Sequence, residues 1–309
     1  MVKRLISANS SEMLKMNGKE LKQSIKASEG RVVLSENVVV HEPLDGITTS
    51  EMAAAFGADM ILLNVFNVFN PLILGLYEGE GTLATAKVHN DGKTIKKLRK
   101  LVGRPIGVNL EPVDPNADML EDRLEIPEGR MASERTLQEA EKLGFNFVVL
   151  TGNPGTGVTN EQIAKNIVTA KKVFSGLVIA GKMHGAGVDE AVVSEKAVEQ
   201  FLEAGADVIL VPAVGTVPGF DETELKKIVK LVHQSGALVM STIGTSQEGS
   251  GSSFIQDIAI RNKICGVDIQ HIGDAAWGIQ SPIENIFALS KAIRGERHAI
   301  VRMSRSINR

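Results

Sequence analysis

The chain has 309 residues, 43% hydrophobic and 23% charged, with a single cysteine and a formal net charge of −3. Such a balance describes an ordinary globular protein; it excludes broad binding to nucleic acid or to an anionic membrane surface, and the lone Cys265 excludes an internal disulfide. Met1 to Met16 holds no apolar signal-peptide core and no run reaches transmembrane length, so a cytoplasmic location is expected.

Eight glycines set the frame: Gly30, Gly57, Gly103, Gly144, Gly176, Gly205, Gly236 and Gly266 each close a helix-like stretch and are followed within one to three residues by an apolar run. Glycine past a helix end takes a left-handed backbone without strain, so helix, glycine, strand is a physical signature. Repeated eight times it predicts a (β/α)8 TIM barrel in one domain spanning 1–309. Residues 1–29 form a short N-terminal extension with one helix, Gly18 to Ala27, placed to close the barrel floor. The strands are expected at Arg31 to Val38, Met60 to Asn64, Pro105 to Glu111, Phe147 to Thr151, Leu177 to Lys182, Val208 to Pro212, Leu238 to Thr242 and Val267 to His271. They are mostly continuous Val, Ile and Leu, as strands buried on both faces require.

Between them run helical stripes such as Ile163, Ile167, Ala170 and Phe174, with start signals at Thr159 with Gln162 and Asp221 with Glu224. Two connections break the pattern, 65–92 and 114–131, and both leave strand C-termini, where lids belong. The first carries an apolar run, Leu72 to Leu76, which serves either as lid or as an interface to a second copy; a homo-oligomer is expected from it. The tail arginines Arg294, Arg297, Arg302, Arg305 and Arg309 read as a solvated or interface face.

A barrel fixes where chemistry sits, at the C-terminal ends of its strands. Alternate residues share a strand face, so Glu36, Asn64, Asn109 with Glu111, Thr151 with Asn153, Lys182 with His184, Thr242 and His271 converge on one pocket. Lys182 is the sharpest candidate, as an imine-forming nucleophile, an anion-binding ammonium, or the partner of Glu36 or Glu111 in an ion pair. His184 can shuttle protons near neutral pH. Glu36 and Glu111 can exchange protons or hold magnesium through oxygen; magnesium is the one metal considered, since no His/Cys zinc spacing occurs. Gly244, Thr245 and Ser246 after strand seven, and Gly273 and Ala275 after strand eight, suit a phosphate held by backbone amides, with Asp274 discordant among them. Asn64, Asn109, Thr151, Asn153, Thr242 and His271 are left to bind substrate hydroxyl or carbonyl groups. The stretch Gly152 to Thr159 imitates a P-loop but has Val158 where the lysine belongs, which excludes nucleoside-triphosphate hydrolysis.

Val148-Val149-Leu150-Thr151-Gly152-Asn153, with Thr156-Gly157 and Leu177 to Gly181, resembles the BtpA/SgcQ family of bacterial barrel proteins over about a third of the chain. The whole chain, including Ala292-Ile293-Arg294-Gly295-Glu296-Arg297-His298, is similar to a poorly characterised bacterial barrel family variously labelled phosphoenolpyruvate phosphonomutase-like or haloacid-dehalogenase-like. The residues fit neither label. Leu34-Ser35-Glu36-Asn37 stands where a dehalogenase has Asp-x-Asp, and Lys182-Met183-His184-Gly185 lacks the mutase cysteine and order. The expectation is a lyase or isomerase acting on a small anionic, phosphorylated or carboxylated metabolite. The alternatives are a non-catalytic barrel that senses a metabolite or supports assembly, and, third, a hydrolase.

Overall fold

A computed structural model describes residues 2–41, 44–276 and 278–309. Helices α1 (Ser10–Met13) and α2 (Gly18–Lys26) come first. Then strands and helices alternate: β1 (Val32–Val38), α3 (Thr49–Ala55), β2 (Met60–Asn64), α4 (Thr94–Val102), β3 (Ile106–Leu110), α5 (Glu134–Leu143), β4 (Phe147–Leu150), α6 (Asn160–Val173), β5 (Leu177–Gly181), α7 (Glu195–Glu203), β6 (Val208–Pro212), α8 (Glu222–Gln234), β7 (Leu238–Ile243), α9 (Ser252–Cys265), β8 (Ile269–Ile272) and α10 (Ile283–Ser304). Each strand pairs in parallel with the next, and β8 returns to β1 with Leu34 opposite His271. The sheet is a closed (β/α)8 barrel.

Strand alternation divides the core in two. Leu34, Leu62, Phe147, Val149, Ile179, Leu210 and Met240 fill the barrel interior, together with Leu5, Met13, Leu21 and Ile25 from the N-terminal extension. That segment therefore plugs the floor. Val33, Ile61, Val108, Val148, Val178, Ala180, Ile209 and Val239 face outward against the helices. Inside, the Phe147 ring lies over Gly107 so closely that a Cβ there would stand 2.1 Å from it. Seven of the eight punctuating glycines have a positive φ. Gly176 does not: α6 ends at an extended Phe174, and a Cβ on Gly176 would meet the Asn146 carbonyl at 2.4 Å. Close packing, not a left-handed cap, requires glycine there.

Two sequence expectations are narrowed by burial. Ile73, Leu74 and Leu76 are buried in the chain's own core, and the Leu74 amide donates to Val39 O at 3.0 Å. Most of the apolar run is thus covered by its own barrel, with Leu72 left half-buried. The tail arginines are not all solvated. Arg294 and Arg302 are buried, and both pair with the buried Asp59, at 2.6 and 2.8 Å. No helix among the described residues is long and apolar enough to cross a membrane.

Candidate active site at the barrel mouth

A cavity of about 330 Å³ opens at the C-terminal end of the strands, lined by Glu36, Asn64, Asn109, Thr151, Asn153 and Glu248 among others. The loop 114–131 reaches over it: the Leu120 amide donates to Gly187 O and the Leu124 amide to Gly155 O, each at 2.8 Å. That anchoring brings Glu121 into the lining. Four non-glycine residues around the mouth, Val65, Ala186, Thr245 and Ser246, have positive φ values of 59°, 54°, 58° and 68°. For β-branched Val65 and Thr245 this is strained backbone, and such strain gathers at functional sites.

At the base, Glu36 and His271 meet at 2.9 Å through Nε2, both buried. Burial, then Glu248 and Glu111, pushes the Glu36 carboxyl up to about 8. Burial pulls the His271 imidazole down to about 4, against the opposing pull of Asp274 and Glu248. At neutral pH the pair shares one proton and carries no net charge. Its second nitrogen, Nδ1, has no partner among the described residues.

Beside it a chain of hydrogen bonds fixes the polar walls. Arg130 donates to Glu111 Oε1 at 2.8 Å. Glu111 also accepts the Asn153 side-chain amide and backbone N–H, both at 2.8 Å. Asn64 donates to Asn153 Oδ1 at 2.9 Å and to Asp274 Oδ2 at 3.0 Å, and accepts from Asn109 at 3.3 Å. Asp274 is pushed up to about 7 by burial and by Glu36, with the Asn64 hydrogen bond opposing. Glu111 is thus occupied as an anchor, paired with Arg130 and holding Asn153. No cluster of three or more His, Cys, Asp or Glu groups placed to hold a metal ion occurs among the described residues.

A family model matches residues 6–309 of the chain. The chain belongs to the family described as Domain of unknown function (DUF7916). No curated protein matches it. Among solved structures, thiamine phosphate pyrophosphorylase from Pyrococcus furiosus is 16% identical, with 86% of this chain and 97% of that one covered, at a TM-score of 0.48. Orotidine 5'-phosphate decarboxylase from Pyrococcus horikoshii OT3 is 15% identical over 86% of this chain and 100% of that one, at 0.48. A 2,3-dimethylmalate lyase of the PEP mutase/isocitrate lyase superfamily is 13% identical over 84% and 82%, at 0.49. Likenesses this distant say nothing of the reaction.

Lys182 is absent from this mouth. It continues the outward face of Val178 and Ala180, and its ammonium sits 2.5 Å from Glu190 Oε1 and 3.5 Å from Gly185 O. Strand β5 ends at Gly181, one residue before the lysine. With Leu177 and Ile179 inside the barrel, alternation itself places Lys182 outside, buried behind the mouth, while His184, beyond the strand end, leaves that period and lines the mouth. Burial lowers the Lys182 ammonium and Glu190 opposes this. Lys182→Met is expected to leave Glu190 with only the Asn160 amide as a partner and lower stability by about 1–3 kcal/mol, read by urea denaturation. Borohydride treatment of the wild type with carbonyl compounds is expected to leave Lys182 unmodified.

His184 accepts the Ala186 amide at Nδ1, 3.0 Å, and burial and the Lys182 charge hold it down to about 4, so it is neutral. Thr242 gives its hydroxyl to Val211 O at 3.0 Å and has no exposed surface; it and His271 lie beneath the lining. Gly244, Thr245, Ser246, Gly273 and Ala275 do line the mouth. Their setting differs from a phosphate cradle: Glu248 and Asp274 stand among them, and no lysine or arginine lines the cavity among the described residues.

Sequence reasoning missed Asp274 and Glu248 as site residues. Asp274 did signal itself, as a carboxylate where a phosphate was expected. Glu248 is the lone acid in the small-residue run from Gly244 to Ser253. Its short helical turn, Gln247–Gly249, folds it inward to zero exposure.

Proposed function

We propose that this barrel is an enzyme of the lyase or isomerase type. It moves protons on a small metabolite held at the mouth. The observation that carries the reading is the buried Glu36–His271 pair at the base of the cavity, 2.9 Å apart. Glu36 lines the cavity and reaches the ligand. His271 lies beneath it and positions it, accepting at Nε2 the hydrogen bond of the protonated Glu36. A carboxyl raised toward neutrality serves as acid and base in one cycle. Asp274, held by Asn64, supplies a second such group on the adjacent wall. One can take a proton from carbon while the other delivers one to oxygen, which is the minimal equipment for enolisation or β-elimination.

Glu111 and Arg130 support the wall without entering the chemistry, and neutral His184 can donate from its free nitrogen to a substrate oxygen. The phosphorylated or carboxylated substrate expected from the glycine loops finds no counter-charge in the lining, so the reading rests on proton transfer and not on anion capture.

The test is deuterium exchange. The protein is incubated in D2O with small hydroxy-aldehydes, ketoses and keto acids, and carbon-bound deuterium is followed by proton NMR. Enzyme-dependent loss of a signal adjacent to a carbonyl supports the reading. A full panel exchanging no faster than buffer would remove it, and the non-catalytic sensing barrel would take its place.

A further inference from the structure

We propose that the mouth selects its ligand by hydrogen-bond donors, hydroxyl or ammonium groups, and that Glu248 is the residue that receives them. This rests on the mouth being the ligand site, as in the reading above, but not on any proton transfer there. The argument starts from what the fold leaves unpaired. Buried polar atoms almost always have a partner, and each exception asks for one. Among the described lining residues the exceptions are Asn109 Oδ1, Thr151 Oγ1 and both oxygens of Glu248. Three of the four can only accept. The hydroxyl of Thr151 can do either.

Glu248 is the most exacting of them, because a buried carboxylate with no donor is the costliest group to leave alone. It has no exposed surface. Its carboxyl lies over Gly273, where a Cβ would stand 3.4 Å from Oε1. Its own amide and that of Ala275 lie near enough to draw its pKa down, against burial, which raises it. Neither closes a hydrogen bond to it. Asn64, a side-chain donor in the lining, is spent on Asn153 and Asp274. What the fold withholds, the ligand must bring. A phosphate brings acceptors and negative charge to a wall that already holds Glu36, Glu248 and Asp274; a polyol or an amino alcohol brings what the orphaned oxygens lack.

Thermal unfolding tests this without knowing the substrate. The probes are erythritol and xylitol for hydroxyls, ethanolamine and serinol for ammonium, and inorganic phosphate, glycerol 3-phosphate and magnesium chloride as opponents. A polyol or amine at saturating concentration is expected to raise Tm by about 2–4 °C or more, and the opponents not to. Glu248→Gln is expected to abolish the amine response and weaken the polyol response. Glu248→Leu should abolish both and raise the Tm of the unliganded protein, since an unpaired buried carboxylate is replaced by an apolar side chain of similar size. Stabilisation by phosphate or magnesium alone, or a Tm lowered by both Glu248 substitutions, would overturn the inference.

Failure here is separable from failure of the proposed reaction. Donor binding with no deuterium exchange removes only the enzyme, whereas exchange confined to phosphate esters removes only this ligand class.

Discussion

Glu36→Gln is expected to lower turnover on any substrate found by deuterium exchange about 100- to 10,000-fold, the usual share of one positioned acid–base group. Glutamine keeps the shape and the hydrogen bond to His271 but cannot exchange a proton. The substitution has a second signature that needs no substrate. Glu36 rises from 4.5 to about 8 and Asp274 from 3.8 to about 7, while His271 and His184 fall from 6.5 to about 4.

Between pH 4.5 and 6.5 the folded state keeps two carboxyl protons that the unfolded chain has lost, and the unfolded chain keeps two imidazole protons that the fold refuses, so these four groups cancel. Above 6.5 the imidazoles are neutral in both states. The fold then holds two extra protons up to about 7 and one up to about 8. Stability therefore falls as pH rises through that window, by about 1 kcal/mol per pH unit for each proton. Urea midpoints measured from pH 6 to 8.5 should show this fall, and Glu36→Gln should remove the part above 7. A wild-type midpoint flat across the window would mean that Glu36 is ionised in the fold, and the acid–base assignment would go with it.

Asp59→Asn is expected to cost the most stability of any single change considered. Asp59 Oδ2 takes Arg294 at 2.6 Å and the Val33 amide at 2.9 Å, and Oδ1 pairs with Arg302 at 2.8 Å. Burial alone would raise this carboxyl; the two guanidiniums outweigh it and hold it low. Arg302 also donates to the carbonyls of Leu5 and Ala8, so one carboxylate ties α10, the start of β1 and the floor plug together. Removing a partner from a buried ion pair leaves charge uncompensated, at about 3–5 kcal/mol. For a chain of this size that is a Tm lower by roughly 5–8 °C. Arg104 nearby, already drawn down to about 9 by burial and by Arg302, cannot take over, because it has the same sign. A loss below about 1 kcal/mol would show that the carbonyl acceptors alone suffice for the arginines.

The barrel was legible because its signal is local and repeated. A glycine that ends a helix and an apolar run that begins a strand are each decided within a few residues, and eight repeats leave one closed solution. Gly176 shows the margin: the punctuation was right although its physical reason was packing against Asn146. Much of the mouth was legible too. Glu36, Asn64 and Asn109 follow from alternation inside their strands, and Thr151 and Asn153 keep the phase of Phe147 and Val149 past the end of β4.

Lys182 was given the wrong phase: Leu177 and Ile179 face inward, so a period of two puts Lys182 outside, and only His184, past the strand end at Gly181, departs from it. The burial of Arg294 and Arg302 was missed for a different cause: hydropathy states what a residue prefers, not which surface it will find. Sequence by itself determined the order of elements, the end of the barrel that carries the mouth and most of the polar groups lining it. Tertiary structure alone decided the partners. His271 met Glu36 across the β8–β1 closure, Arg130 claimed Glu111, and Glu248 turned inward with nothing to meet, because pairing depends on distances between segments far apart in the chain, which no local pattern encodes.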